Sequence, residues 1–274
     1  MIRTTIVKRS IKPPERKTNW SVRGALDRPR VLSWGAVGLF LGTWELAAAA
    51  AHVSPLYLPR PSAILVELID MFAHDELATD LCFTLYRIFA GFFIALLVGV
   101  ALGVWIASSW RAQAVADIFI AALYPLPKVT LIPLLIIWLG TGGPFMLTIS
   151  FLGAVFPIVI NTAFGVRRCD PGLIMAARDL NASQRQIVRR VLIPSAVPAI
   201  LTGSRLGLGV TIVLVVAAEM VVGKNGLGAR LYLSGQILET GQVFAVLLLL
   251  AALGILVSVS QDVIETRLGR WSMS

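Results

Sequence analysis

The sequence predicts an all-α membrane protein with six transmembrane helices, and three observations support this fold class. Hydrophobic residues make up 57% of the 274-residue chain and charged residues only 14%, and the mean hydropathy is +0.82. Apolar segments of about 20 residues, the length needed to cross the hydrocarbon core, recur along the chain. Basic residues are concentrated in alternate connections between these segments. A soluble domain needs a charged surface, which this composition cannot supply.

Six segments are long and apolar enough to be predicted as spans. Their approximate bounds are residues 31–51, 84–107, 116–140, 145–166, 196–222 and 243–264. The corresponding organisation is an N-terminal tail at residues 1–30, a transmembrane domain at residues 31–266 and a C-terminal tail at residues 267–274. The N-terminal tail is polar and basic, and it does not have the pattern of a cleaved signal peptide.

The distribution of basic residues predicts the orientation in the membrane. With the N-terminus inside, eighteen Lys and Arg residues fall in the inner segments and only three in the outer loops. Because cytoplasmic loops carry an excess of Lys and Arg, both termini are predicted to be cytoplasmic. The protein is then a multi-pass protein of the bacterial inner membrane. The basic excess is explained by topology, and no nucleic-acid partner is expected.

The longest predicted cytoplasmic loop between spans, residues 167–194, begins with the pattern of a short helix. Asp170 followed by Pro171 is a typical helix start, because Asp accepts a hydrogen bond from a free amide and Pro fits the first turn. Asn181 tolerates the left-handed backbone conformation that often ends a helix. The first helix of the loop is therefore expected between these two signals.

A second short helix is predicted later in the same loop. Ser183 and Gln186 have the spacing of a capping box, in which each residue bonds the backbone of the other. This second helix is expected to stop at Pro194. The small residues Ala176 and Ala177 would let the first helix seat closely in a groove of another protein, so the loop is interpreted as a docking element.

This loop resembles the coupling motif of the permease subunits of ABC importers. That motif is E-A-A, three residues, Gly, and an I-x-L-P-like end after about nine more residues. The resemblance implies that the residues coupling the permease to its ATPase are Met175, Ala176, Ala177, Asp179, Asn181, Ile193 and Pro194. The chain has Met175 where the family has Glu, and Asn181 where the family has Gly.

Other segments extend the resemblance across most of the chain. They are WELAA at 44–48, LPRPSAIL at 58–65, TLYRIFAGF at 84–92, PLPKVTLIPLLIIWLGTG at 125–142, FPIVINTAFGVRRCDP at 156–171 and AAEMVVGKNGLG at 217–228. Together they resemble the nitrate, sulfonate and taurine branch of binding-protein-dependent permeases. The resemblance implies the fold of a type I importer permease, with a cytoplasmic coupling helix between the fourth and fifth spans.

The resemblance also implies the function and the partners. The expected function is transport of a small solute, such as a sulfonate, taurine or nitrate anion, delivered by an extracytoplasmic solute-binding protein. Two copies of a cytoplasmic ATP-binding subunit would drive transport, and a second permease copy would complete a homodimer. No G-x-x-x-x-G-K-[ST] phosphate loop occurs in the sequence, so ATP is expected on the partner alone. The chain is therefore not expected to be an enzyme or to hold a cofactor, a metal ion or catalytic residues.

Three charged residues within the predicted spans are candidates for the translocation path. Lys128 lies among prolines before the third span, where it would contact an anionic substrate or extend its amine to the membrane interface. Glu219 near the end of the fifth span and Glu45 in the first would bind a cation or make interhelical hydrogen bonds. The alternative class is a secondary transporter or channel for a small solute, but such proteins usually contain inverted repeats, and the sequence shows none.

Overall fold

The computed structural model describes residues 29–50, 54–74 and 76–268, and every regular element in these residues is a helix. The helices are α1 (Pro29–Ala50), α2 (Pro61–His74), α3 (Leu77–Ser108), α4 (Trp110–Leu123), α5 (Ile132–Leu139), α6 (Gly143–Arg167), α7 (Pro171–Asp179), α8 (Gln184–Ile187), α9 (Ile193–Val222), α10 (Leu227–Gln236) and α11 (Thr240–Leu268). A 3-10 turn, Lys128–Leu131, precedes α5, and a π-helical turn, Val188–Leu192, precedes α9.

The chain divides into two compact units, one up to Val53 and one from Ser54 onward. The described part of the first unit is α1, which coincides with the first predicted span. The second unit contains α2 to α11. Most of the predicted N-terminal tail and residues 269–274 of the predicted C-terminal tail lie outside the described residues.

Four helical segments are long and apolar enough to cross a membrane. They are Leu77–Ser108, Gly143–Arg167, Gln184–Val222 and Thr240–Arg267. A fifth candidate is the pair formed by α4 and Lys128–Leu139. The described residues therefore support four or five spans where the sequence predicts six. The helix α1 is not among these candidates, so the first span stays a prediction.

The third predicted span, residues 116–140, is not one straight helix. The two halves of this segment are bent by 86°, and the bend follows Pro125 and Pro127, which have no backbone N–H to continue a helix. The carbonyl of Pro127 accepts hydrogen bonds from the Thr130 amide at 2.9 Å and from its hydroxyl at 2.6 Å. A local turn at the break thus keeps the Pro127 carbonyl oxygen hydrogen-bonded.

The core of the second unit is built on α6, which packs against α3 on one side and α9 on the other. Small and hydroxyl-bearing residues at these contacts bring the helix backbones close together. The Ser150 hydroxyl donates to the Ile88 carbonyl of α3 at 2.9 Å. The Thr211 hydroxyl of α9 donates to the Ser150 carbonyl at 3.2 Å. One position of α6 therefore hydrogen-bonds to both of its neighbours.

Pro194 does not end the second helix of the loop, and this prediction from the sequence is wrong. Residues Gln184–Val222 form one continuous helical segment of 39 residues. A proline inside an α-helix collides with the carbonyl four residues earlier. The wider π-helical turn at Val188–Leu192 directly precedes this proline, and such a turn offers room for the ring without breaking the helix. The helix that contains the fifth predicted span therefore begins at α8, ahead of the span itself.

We predict that Gly203→Ala destabilises the packing of α9 on α6. A Cβ at this position would lie 2.8 Å from the Pro157 carbonyl oxygen, and such overpacking costs about 1–3 kcal/mol. The higher helix propensity of Ala offsets about 1 kcal/mol of this cost. Thermal unfolding of the purified protein in detergent should show a lower midpoint than for the wild type.

The matched control is Gly209→Ala, on the same helix, where nothing lies within 4 Å of an added Cβ. This variant should unfold at or above the wild-type temperature. Equal midpoints for the two variants would contradict the close approach of α9 to α6.

Candidate functional site

The first feature of the candidate site is a helix–turn–helix segment formed by α7 and α8. The Asp170 carboxylate accepts a hydrogen bond from the Gly172 amide at 2.8 Å and caps α7, with Pro171 in the first turn. After α7, Asn181 has a φ of 57°, the left-handed conformation expected for it. The Ala182 amide bonds the Ala177 carbonyl at 3.0 Å across this turn. These bonds fix the end of α7.

The second helix of this segment starts with the predicted capping box. The Ser183 amide donates to the Gln186 side-chain oxygen at 2.8 Å. In return, the Gln186 amide donates to the Ser183 hydroxyl at 3.4 Å. Both ends of the turn are therefore held by short-range hydrogen bonds, and the segment has a defined shape rather than that of a loose connection.

The face of α7 that points toward the rest of the chain is apolar. Ile174 and Ala177 pack against a cluster that includes Val104, Ile187 and Leu192. The Ala177 side chain, predicted from the sequence to dock against another protein, is therefore half-buried against its own chain. Through this contact, α7 is anchored to the base of α3 and α9.

Three large apolar side chains of this segment are exposed. Leu173 is 54% exposed, Met175 60% and Leu180 84%. We call these three residues the α7 apolar surface. Of the predicted coupling residues, the exposed ones are Met175, Ala176, Asp179, Asn181 and Pro194, whereas Ile193 is half-buried at the start of α9. Exposed apolar side chains on a segment of defined shape are typical of an interaction surface.

The second feature is a cluster of buried and half-buried polar side chains, which we call the polar cluster: Asp80, Thr84 and Arg87 of α3, Glu219 of α9 and Arg230 of α10. Glu219 is fully buried. Its carboxylate accepts hydrogen bonds from Arg87 Nη1 at 2.6 Å, from the Thr84 hydroxyl at 2.9 Å and from the Gly228 amide at 3.0 Å. Arg230 Nε donates to Asp80 Oδ2 at 2.7 Å. Two carboxylates thus face two guanidinium groups, and the cluster is neutral overall.

The polar cluster also caps the N-terminus of α10. The Gly226 amide donates to Asp80 Oδ1 at 2.8 Å and the Leu227 amide to the Thr84 hydroxyl at 2.9 Å. The first amides of a helix have no partner within that helix. Here side chains of α3 and α9 supply the partners, so the position of α10 depends on both neighbouring helices.

Glu219 is among the residues predicted from the sequence, but its partners in the polar cluster are not. Asp80, Thr84 and Arg87 are spaced four and three residues apart, which places them on one face of α3. That spacing is a signal for a polar helix face and could have been noticed. The pairing of Arg87 with Glu219 could not be predicted, because the two residues are 132 positions apart in the chain.

Lys128 lies in the 3-10 turn between α4 and α5, apart from the polar cluster. Its Nζ donates to the Tyr124 carbonyl at 3.1 Å and lies 5.2 Å and 5.5 Å from the ring centres of Tyr124 and Phe156. It also lines a shallow cavity of about 370 Å³ together with Val210 and Val213 of α9. The half-buried ammonium is therefore held by a carbonyl and two aromatic faces.

Glu45, the remaining candidate for the translocation path, lies within α1 and is half-buried. It belongs to the first compact unit, whereas Lys128 and Glu219 belong to the second.

The fold and these features define an all-α membrane protein with a structured helix–turn–helix between two spans. Residues 78–270 match the family described as binding-protein-dependent transport system inner membrane component. The match covers more than half of the chain, and the chain belongs to this family. It is the permease subunit of an ABC importer.

Relatives named for transport of taurine, sulfonates and nitrate match 70–96% of the chain. It is 31% identical to the taurine transport system permease protein TauC of Escherichia coli (strain K12), covering 93% of this chain and 94% of TauC. It is 29% identical to the putative aliphatic sulfonates transport permease protein SsuC of Bacillus subtilis (strain 168), over 96% and 92% of the two chains. The nitrate import permease protein NrtB of Synechocystis sp. is 30% identical, over 70% and 72%.

A solved structure has the same fold. The inward-facing MetNI methionine ABC transporter contains a chain that superposes with a TM-score of 0.62 and 22% sequence identity. The superposition covers 70% of this chain and 95% of the other. At this identity the likeness establishes the fold alone.

We predict that Thr84→Val destabilises the protein by about 1–3 kcal/mol. The hydroxyl donates to Glu219 and accepts from the Leu227 amide, and valine of the same shape leaves that buried amide without a partner. Denaturant or thermal unfolding in detergent measures the change. The control is Thr79→Val, an exposed position on the same helix, which should unfold like the wild type. Equal stability of the two variants would refute the capping role of Thr84.

Proposed function

We propose that this chain carries a small anion, such as a sulfonate, taurine or nitrate, across the bacterial inner membrane. The anion would be delivered by an extracytoplasmic solute-binding protein, and a separate ATP-binding subunit would supply the energy. The observation that carries the proposal is the α7 apolar surface on a capped helix–turn–helix. The names of the taurine, sulfonate and nitrate permeases to which the chain is similar support the substrate class.

The α7 apolar surface would be the contact with the ATP-binding subunit. Burying a large apolar side chain stabilises an interface by about 1.5–3 kcal/mol, and the exposed Leu180 side chain has this area available. The inward contacts of Ile174 and Ala177 would pass a displacement of α7 to α3 and α9. Met175, where the family has Glu, would contribute an apolar contact instead of a charged one.

A second permease copy would complete the path. The region between α3, α6 and α9 is filled by packed side chains, so a route for solute would run along the surface of this bundle and need a facing surface.

Two copies of the permease, taken as a homodimer, and two copies of the ATP-binding subunit would form the complex. Both termini would be cytoplasmic, because most Lys and Arg residues lie in the two tails and in the connections on the same side of the membrane as the tails. Closure of the ATPase pair would then shift the permeases between inward-open and outward-open states.

Lys128 would be a contact for the anion along this route. It lines a cavity that is open to the surface beside α9. Its ammonium is oriented by a carbonyl and two rings, and among the described residues no carboxylate forms an ion pair with it. The Lys128 ammonium is already half-buried and has no ion-pair partner among these residues. It would therefore attract an anion with little further loss of hydration.

We predict that Leu180→Asp lowers transport at least tenfold while the protein still inserts and folds. The charge would prevent burial of this side chain against the ATP-binding subunit, a loss of about 1.4 kcal/mol or more. Uptake of labelled taurine by proteoliposomes containing the full complex measures transport. Co-purification of the ATP-binding subunit with the permease measures assembly.

The matched control is Ile237→Asp, which replaces a side chain that is 66% exposed after α10. This variant should bind the ATP-binding subunit as the wild type does. Wild-type assembly and uptake by Leu180→Asp would remove the α7 apolar surface from the coupling route.

We predict that Lys128→Met lowers anion uptake about tenfold and that Lys128→Arg retains most of it. Methionine keeps a side chain of similar length but loses the charge, and one charge-assisted hydrogen bond is worth about 1.5–3 kcal/mol. The measurement is the concentration dependence of uptake in the reconstituted complex. Equal uptake by the two variants would show that the charge is not used by the substrate.

A further inference from the structure

A groove of about 750 Å³ lies between α3, α9 and α11. Its walls are almost entirely apolar and include Leu85, Phe93, Leu208, Leu253 and Leu256. All three helices that form it belong to segments able to cross a membrane. The groove is therefore in a position to face lipid chains, and an apolar ligand of lipid size is the chemistry that fits its walls.

One end of the groove is polar. Arg205 and Glu265 line it there. Arg205 Nη1 donates to Asp262 Oδ1 at 2.6 Å, and Nη2 donates to the Ser258 hydroxyl at 2.8 Å. Glu265 lies 3.9 Å from the same guanidinium, too far for a hydrogen bond. The Glu265 carboxylate is thus near a cation but leaves its oxygens open to another donor.

The charges at this end favour a headgroup that carries both signs. One guanidinium faces two carboxylates, which leaves a net charge of −1 and favours a cationic group near Glu265. Arginine has five N–H donors, and two of its nitrogens already bond Asp262 and Ser258. Its remaining N–H groups are available to a phosphate oxygen.

The spacing along α11 places the polar end at the depth expected for a lipid headgroup. Asp262 is 22 residues after Thr240, the first residue of α11, which corresponds to about 33 Å along a helix. The hydrocarbon core of a bilayer is about 30 Å thick. If the other end of α11 lies near the opposite interface, Asp262 and Arg205 lie at the boundary between acyl chains and headgroups.

We propose that this groove binds a phospholipid with a zwitterionic, primary-amine headgroup of the phosphatidylethanolamine class. The ammonium of the headgroup donates to Glu265, its phosphate accepts from Arg205, and an acyl chain occupies the apolar groove. A phosphatidylcholine headgroup has no N–H to donate to Glu265, and a phosphatidylglycerol headgroup brings a further negative charge. The bound lipid belongs to the leaflet on the side of the α7–α8 segment, and only the identification of that side as cytoplasmic rests on the proposed function.

Native mass spectrometry of the full chain in mild detergent tests the proposal. The protein is mixed with equimolar phosphatidylethanolamine, phosphatidylcholine and phosphatidylglycerol of identical acyl chains. The wild type should retain the ethanolamine lipid about tenfold more than either of the others, the ratio expected for one charge-assisted contact. Transport is not part of the measurement, so a failure of the proposed function would not affect its outcome.

Two variants separate the headgroup from the groove. Glu265→Gln should bring retention of the ethanolamine and choline lipids to about the same level. Asp117→Asn, which changes an exposed carboxylate of α4 outside the groove, should behave like the wild type. Ala252→Trp places a large side chain in the groove and should reduce retention of all three lipids, with thermal unfolding as the check on folding.

Equal retention of the ethanolamine and choline lipids by the wild type would overturn the proposal. A preference for the glycerol lipid would also overturn it, as would an unchanged preference in Glu265→Gln. If Ala252→Trp does not fold, the Glu265→Gln comparison decides the outcome by itself.

Discussion

The arrangement of α3, α9 and α10 depends on how the first amides of α10 are satisfied. A helix that starts within a membrane protein exposes amides that water cannot reach freely, and each needs a partner. Asp80, Thr84 and Glu219 provide these partners. Because two of the three are carboxylates, Arg87 and Arg230 must accompany them. Each residue of the polar cluster therefore requires the others. The cluster holds α10 in place, and with it the connection between α9 and α11.

The features predicted correctly from the sequence are those determined by local interactions. The Asp170 cap, the left-handed Asn181 and the Ser183–Gln186 capping box each involve residues within a few positions of one another. Apolar runs likewise identify α3, α6, α9 and α11 by length and composition. The polar cluster escaped prediction because its ion pairs join residues more than 130 positions apart, and spacing along one helix does not reveal the partner on another.

Proline had opposite effects at different positions, which a rule based on residue type alone does not anticipate. Pro125 and Pro127 end α4, whereas Pro157 and Pro198 lie inside α6 and α9. At the two internal positions, a polar side chain four residues later bonds the proline carbonyl, Asn161 at 2.8 Å and Thr202 at 3.1 Å. These bonds engage backbone oxygens next to the irregularity. Packing of α6 and α9 against each other then keeps both helices continuous.

The π-helical turn before Pro194 has a mechanical consequence. Because it joins α8 to α9 without interruption, residues Gln184–Val222 form one continuous helical rod of 39 residues, about 58 Å in contour length. One end of the rod abuts α7 and the other carries Glu219. A tilt imposed at the first end is magnified with distance, so a small push on α7 becomes a larger sideways movement at the polar cluster. A flexible hinge at the same proline would have absorbed that push, and the far end would have stayed still.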